Sequence, residues 1–141
     1  MPIRNYSSSV KPADSIGKIQ RLVAEHGARN VSMDYENGKP VALDFKMFVE
    51  DVLVTFRLDI DAQAMLRAMR ADKKVPRHCC TLEQAEITAW KNKYEWLHLQ
   101  LAEIESNQAR LEQLLLGYAV MDDGATLFES LKNKHQLLLE E

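Results

Sequence analysis

An α+β fold is predicted: an N-terminal helix packed on a three-stranded antiparallel β-meander, followed by a short helix, a long amphipathic helix and a short C-terminal helix. Three observations predict it. Apolar residues recur at helical spacing over 14–26, the period switches to two on either side of Asn37-Gly38, and a seam of mean period 3.5 runs through the second half. At 141 residues the chain reads as a single domain, 1–141, large enough for one core. It divides into an extended arm (1–11), an α-β-β-β-α unit (12–71), a basic loop (72–80) and a helical region (81–141).

The arm carries Ser7, Ser8 and Ser9, which offer little to pack. Asp14 and Ser15 are good helix-start residues; Ile16, Ile19, Leu22 and Val23 follow at helical spacing, and Gly27 stands where a C-terminal cap falls. Val31, Met33 and Tyr35 then alternate with polar residues up to Asn37-Gly38, a hairpin signal because both turn residues take positive φ. Val41, Leu43, Phe45 and Met47 form the second strand; Val52, Val54, Phe56 and Leu58 form the third. The meander has one apolar face, and the first helix is the natural cover.

Asp61 caps a short helix carrying Met65, Leu66 and Met69, and Pro76 keeps 72–80 a loop. Thr81 restarts a helix with Gln84 completing a capping box. From Thr81 to Leu116 there is no Gly or Pro, and Ile87, Trp90, Tyr94, Leu97, Leu101, Ile104, Gln108, Leu111 and Leu115 recur at alternating spacings of 3 and 4. Unbroken, this helix would be about 54 Å long at about 1.5 Å per residue. Gly117 ends it, Asp122-Asp123-Gly124 turns the chain, and Thr126 with Glu129 caps a last helix carrying Leu127, Leu131 and Leu138.

The seam is the pattern of a helix packed against another helix, interrupted only by Gln108. It reaches beyond what the sheet and the short helices can cover, so self-association as a homodimer is expected, with a host or phage protein as the other candidate occupant. Off the seam, Ala89, Lys93, Trp96 and Gln100 share a stripe that is a candidate second contact surface.

Charge is uneven. The chain carries a net −3, but residues 61–80 carry a net +3 through Arg67, Arg70, Lys73, Lys74 and Arg77. These are the candidate nucleic-acid contacts. A single basic stretch in an acidic chain predicts weak nucleic-acid binding at best. No apolar run reaches the roughly 18 to 20 residues of a membrane span, and the N-terminus has no apolar stretch of a secretory signal, so no membrane association is expected. Two adjacent cysteines, Cys79 and Cys80, make no disulfide framework and favour a reducing, cytoplasmic compartment.

No residue pattern predicts catalysis, a cofactor or a small-molecule substrate. His78-Cys79-Cys80 lacks the spaced ligand pairs of a zinc site, with His26, His98 and His135 elsewhere. A reactive Cys80 would need a paired base that the sequence does not supply. Asp34, Glu36 and Asp44 share the polar face of the first hairpin; such carboxylates bind Mg²⁺ in some sites, but any solvated sheet face carries them. Gly17, Gly27 and Gly38 are isolated and form no phosphate loop.

With the pattern laid out, the chain resembles a widespread family of small tailed-bacteriophage and prophage proteins. The resemblance rests on Ile3, Asn5 and Tyr6 in the arm, Ser15-Ile16 and Ile19 in the first helix, and Gly27-Ala28, Tyr35, Gly38, Pro40, Ala42 and Phe45 through the hairpin. It continues through Phe56 and Leu58, Gln84-Ala85, Ala89-Trp90-Lys91, Trp96, Gln100-Leu101-Ala102 and Gly124-Ala125-Thr126-Leu127. It departs from the family in a shorter connection between the second and third strands and in Lys91, where the family has Arg. The resemblance implies a phage-encoded protein acting in the bacterial host cytoplasm, and implies no activity. The expected function is therefore a non-catalytic accessory protein that binds a protein partner through its helical region, one form being modulation of a host or defence factor. The alternative is a nucleic-acid-associated factor in phage recombination or replication.

Overall fold

Period-two alternation builds the sheet. The computed structural model, which describes the backbone of residues 1–140 and the side chains of 1–135, contains strands β1 (Arg29–Glu36), β2 (Lys39–Val49) and β3 (Val52–Asp59) in the order β1-β2-β3, all antiparallel. Asn37 and Gly38 have φ of 52° and 77°, the left-handed pair that matches a two-residue turn to the twist of its strands. Leu43 sits between Met33 and Leu58, and Phe45 pairs with Phe56 with ring centroids 5.6 Å apart. Leu43, Phe45, Met47, Phe56 and Leu58 are buried on the apolar face. A register shift between Asp34 and Tyr35 breaks the alternation at the hairpin tip, and Tyr35, expected on that face, is exposed; so is Val52, at the start of β3.

Helices cover the apolar face. α1 (Pro12–Glu25) starts earlier than the spacing predicts, because Pro12 brings its fixed φ to the first turn. Ser15, expected near the cap, lies fully buried inside the helix. Ile16, Ile19 and Val23 of α1 enter the same core as Phe45, Phe56 and the centre of α3 (Leu82–Glu105). Trp90 of α3 is completely buried there and its indole N–H donates to the Pro40 carbonyl at 3.2 Å. α2 (Ala62–Ala71), capped by Asp61 through the Ala64 amide at 3.0 Å, packs on α3. It shares a second, smaller core of Leu66, Met69, Val75, Cys79 and Ala85 with Ile3 and Tyr6 of the arm.

The arm is fastened, contrary to its loose reading. Thr88 donates to the Asn5 carbonyl at 2.9 Å, and Asn92 to the Arg4 carbonyl at 3.1 Å. The Ile3 amide donates to Asp72 at 3.0 Å, and Arg4 pairs with Glu95 at 2.8 Å. Gln84 does not close the expected capping box: Thr81 accepts from its amide at 3.1 Å, but the Gln84 side chain donates to the Ser8 carbonyl instead.

The long helix is shorter than the seam implies. α3 ends at Glu105, about 36 Å at about 1.5 Å per residue, and the chain turns at Asn107, whose φ is 61°. The Asn107 amide donates to the Ile104 carbonyl and the Gln108 amide to the Glu103 carbonyl, the paired bonds of a left-handed helix stop. Asparagine tolerates that conformation where other side-chain-bearing residues do not, so Asn107→Ala should cost about 1 kcal/mol, read as a lower urea midpoint at an unchanged m-value. Asn107→Gly should cost nothing.

Beyond the stop, α4 (Leu111–Leu115) and a 3₁₀ turn over Leu116–Tyr118 return the chain to the sheet. Val120 donates to the Thr55 carbonyl at 2.7 Å, so residues 119–120 cover part of the outer edge of β3. Gly124, at φ 85°, completes the expected turn. α5 (Leu127–Glu140) then opens with a capping box: Thr126 accepts from the Glu129 amide at 3.3 Å, and Glu129 accepts from the Thr126 amide at 3.0 Å.

Candidate functional site

The nine seam residues are not a free surface. Trp90, Leu97 and Leu101 are buried against the sheet and α1, and Tyr94 and Ile104 pack partly buried at the margin of that core; Ile87 is half-buried. Leu115 and Leu111 reach the same core by a different route, from α4 after the turn at Asn107. Gln108, expected within the helical seam, is exposed and outside any helix. The spacing predicts one helix packed along its length against another helix; instead the seam is split between α3 and α4, and its buried members enter a core shared with the sheet and α1. The ground on which a homodimer was expected, a seam left partly wet, is therefore missing, since these seam residues leave no continuous apolar strip exposed.

The second stripe fares differently. Ala89, Lys93 and Trp96 line a groove between α2 and α3 together with Asp59, Met65 and Asn92, while Gln100 lies a turn beyond it. A second concavity adjoins it, sharing Asp59 and Lys93 and bounded by Tyr118, Phe128 and Glu129. Lys93 is thus the common floor of both. Its ammonium lies over the Trp96 ring, 5.7 Å from the centroid, and Trp96 packs on Tyr118 at 5.2 Å. Burial strips water from the ammonium and lowers its pKa below the ordinary lysine value; the charge of Asp59 opposes the shift without reversing it. Lys93 takes part in no ion pair among the described residues.

Phe128 is the residue the sequence reading missed. It is 62% exposed on the first turn of α5, beside Leu131 at 58%, with Leu116 exposed on the preceding turn. The signal was present as an apolar pair at i and i+3, but the helix was assigned its inward face through Leu127 and Leu131. α5 packs chiefly on the Leu116–Tyr118 turn, so Leu131 faces solvent.

The remaining candidates lie elsewhere on the fold. Asp44 accepts a two-pronged pair from Arg57, at 2.9 and 3.1 Å, and Asp34 accepts from the same guanidinium at 3.3 Å. The Asp44 bond raises the Arg57 pKa. One arginine thus serves both carboxylates, chiefly Asp44, and Glu36 stands apart. Cys79 is buried in the smaller core; the Cys80 thiol lies 3.6 Å from the Pro76 carbonyl. Among the described residues no group of three or more His, Cys, Asp or Glu side chains converges, and no described helix is long and apolar enough to cross a membrane. Arg67, Arg70, Lys73, Lys74 and Arg77 are all exposed, and three of them line one concavity.

Compared with protein families, curated proteins and solved structures, the chain gives no match.

Proposed function

We propose that this chain is a phage-encoded, non-catalytic accessory protein that binds a protein partner through its helical region in the bacterial host cytoplasm. The contact surface is the groove floored by Lys93 and Trp96, extended by Phe128 and Leu131 of α5. The observation that carries this reading is the exposed aromatic and aliphatic pair beside a groove whose lysine forms no direct ion pair among the described residues. Interfaces are centred on aromatic anchors, and a half-buried ammonium gains most from an acceptor that the partner brings. The partner segment therefore offers an apolar pocket or ridge for Phe128 and an oxygen acceptor for Lys93.

A photo-crosslinking residue in place of Phe128, irradiated in cells producing the full set of phage proteins, tests the reading. One discrete adduct with another protein is expected, lost when Leu131→Asp or Trp96→Ala is added. The same crosslinker at Lys46, on the far face of the sheet, should give none. Adducts only with the chain itself, or an adduct indifferent to both substitutions, would contradict it.

A further inference from the structure

We propose that the basic ledge formed by the end of α2 and the loop after it binds the phosphodiester backbone of double-stranded nucleic acid. The ledge is distinct from the Lys93 groove, and the proposal does not depend on the partner reading above. Arg67, Arg70, Lys73, Lys74 and Arg77 are exposed, and none forms an ion pair among the described residues. Arg70, Lys73 and Arg77 line one concavity, in which Asp72 is the sole carboxylate. Asp72 is already engaged: its two oxygens accept from the Ile3 and Lys74 amides at 3.0 and 2.9 Å. These bonds also fix the loop backbone, so the lysines extend from a set base.

The chemistry of the ledge distinguishes its ligand. No large apolar side chain is exposed between 61 and 80, and Val75 is buried in the smaller core. A protein interface would place an aromatic or aliphatic anchor at its centre and use few lysines. Contacts to a phosphate backbone need only the arginines and lysines that are here. The ledge presents no Phe, Tyr or Trp, only the small imidazole of His78, so it offers no broad platform for unpaired bases, which favours a duplex over a single strand. The rest of the chain carries a net −6, since the whole carries −3 and residues 61–80 carry +3. That charge confines the contact to the ledge and makes it weak and strongly salt-dependent.

Anisotropy of a labelled DNA duplex of about 20 base pairs, titrated with the full chain between about 20 and 150 mM salt, tests the proposal. Micromolar binding at low salt should fade by physiological salt, with a log–log slope of about −4.5 for five contacts. Replacing Arg70, Lys73 and Arg77 by Gln should flatten the slope by about 2.7, and Arg67→Gln with Lys74→Gln by about 1.8. Lys132→Gln with Lys134→Gln on α5 should leave it unchanged. No saturable binding at low salt, or a slope unaltered by the triple substitution, would overturn the proposal. So would a poly-glutamate peptide that binds more tightly than the duplex at equal ionic strength, which would make the ledge a protein-contact surface.

Discussion

Trp90→Ala should lower the unfolding free energy by about 4 to 5 kcal/mol, the largest loss expected from any single substitution in this chain. The indole has no exposed surface and lies where α1, α3 and the sheet meet in one core. Its removal leaves a cavity that rigid neighbours on three elements cannot fill, and it strands the Pro40 carbonyl that accepts its N–H at 3.2 Å. Against a total of about 5 to 15 kcal/mol for an ordinary domain, the variant is at the margin of folding. Trp90→Phe should recover more than half of the loss by refilling most of the volume. Urea unfolding followed by far-UV circular dichroism reads both. A loss below about 1.5 kcal/mol for the alanine variant would mean that the ring does not fill the centre of the core.

Deleting residues 1–8 should cost about 3 kcal/mol, although the sequence presents them as part of an extended arm with little to pack. The deletion uncovers Leu66 and Met69 by removing Ile3 and Tyr6, each partly buried against them, at about 1 kcal/mol apiece. It also leaves the fully buried Thr88 hydroxyl without the Asn5 carbonyl, at about 1 kcal/mol more. Acid should loosen the same arm. The hydrogen bond from Arg4 holds the Glu95 carboxyl below its ordinary pKa, with a second from Asn5 acting the same way. A carboxylate whose folded pKa is depressed contributes stability above its unfolded value, about 4.3, and loses it as pH falls through the folded value. Hydrogen exchange should therefore show the arm amides losing protection below about pH 4 while the Trp90 core stays protected. Undiminished stability after the deletion would show that the arm is not part of the fold.

The parts of this fold that were legible in the sequence are those written in local periodicity. Alternation around Asn37-Gly38 located the hairpin, and the left-handed φ values at both residues are why that dipeptide signals it. Asp61 and the Thr126–Glu129 box located two helix starts through bonds spanning three residues. The helix stop at Asn107 was missed because Asn, unlike Gly, is common enough inside polar stretches to pass unnoticed. The arm was missed because its partners, Thr88, Asn92 and Glu95, lie more than eighty residues away and no local rule connects them. The seam was read as reaching beyond its own chain's cover, whereas most of it enters the chain's own core, since a 3.5 period does not say what covers it. At the candidate site, Lys93 and Trp96 were visible as a stripe off the seam. Phe128 came to them only through the return of the chain after Gly117, a non-local event.

Light scattering of the purified chain at micromolar concentration tests most directly whether the seam is spent within one chain, leaving the Lys93–Phe128 groove for a foreign partner. The account predicts a single species of 16.2 kDa, unchanged over a tenfold dilution. A stable species of twice that mass, dissociated by substitution of seam residues and indifferent to Leu131→Asp, would contradict it.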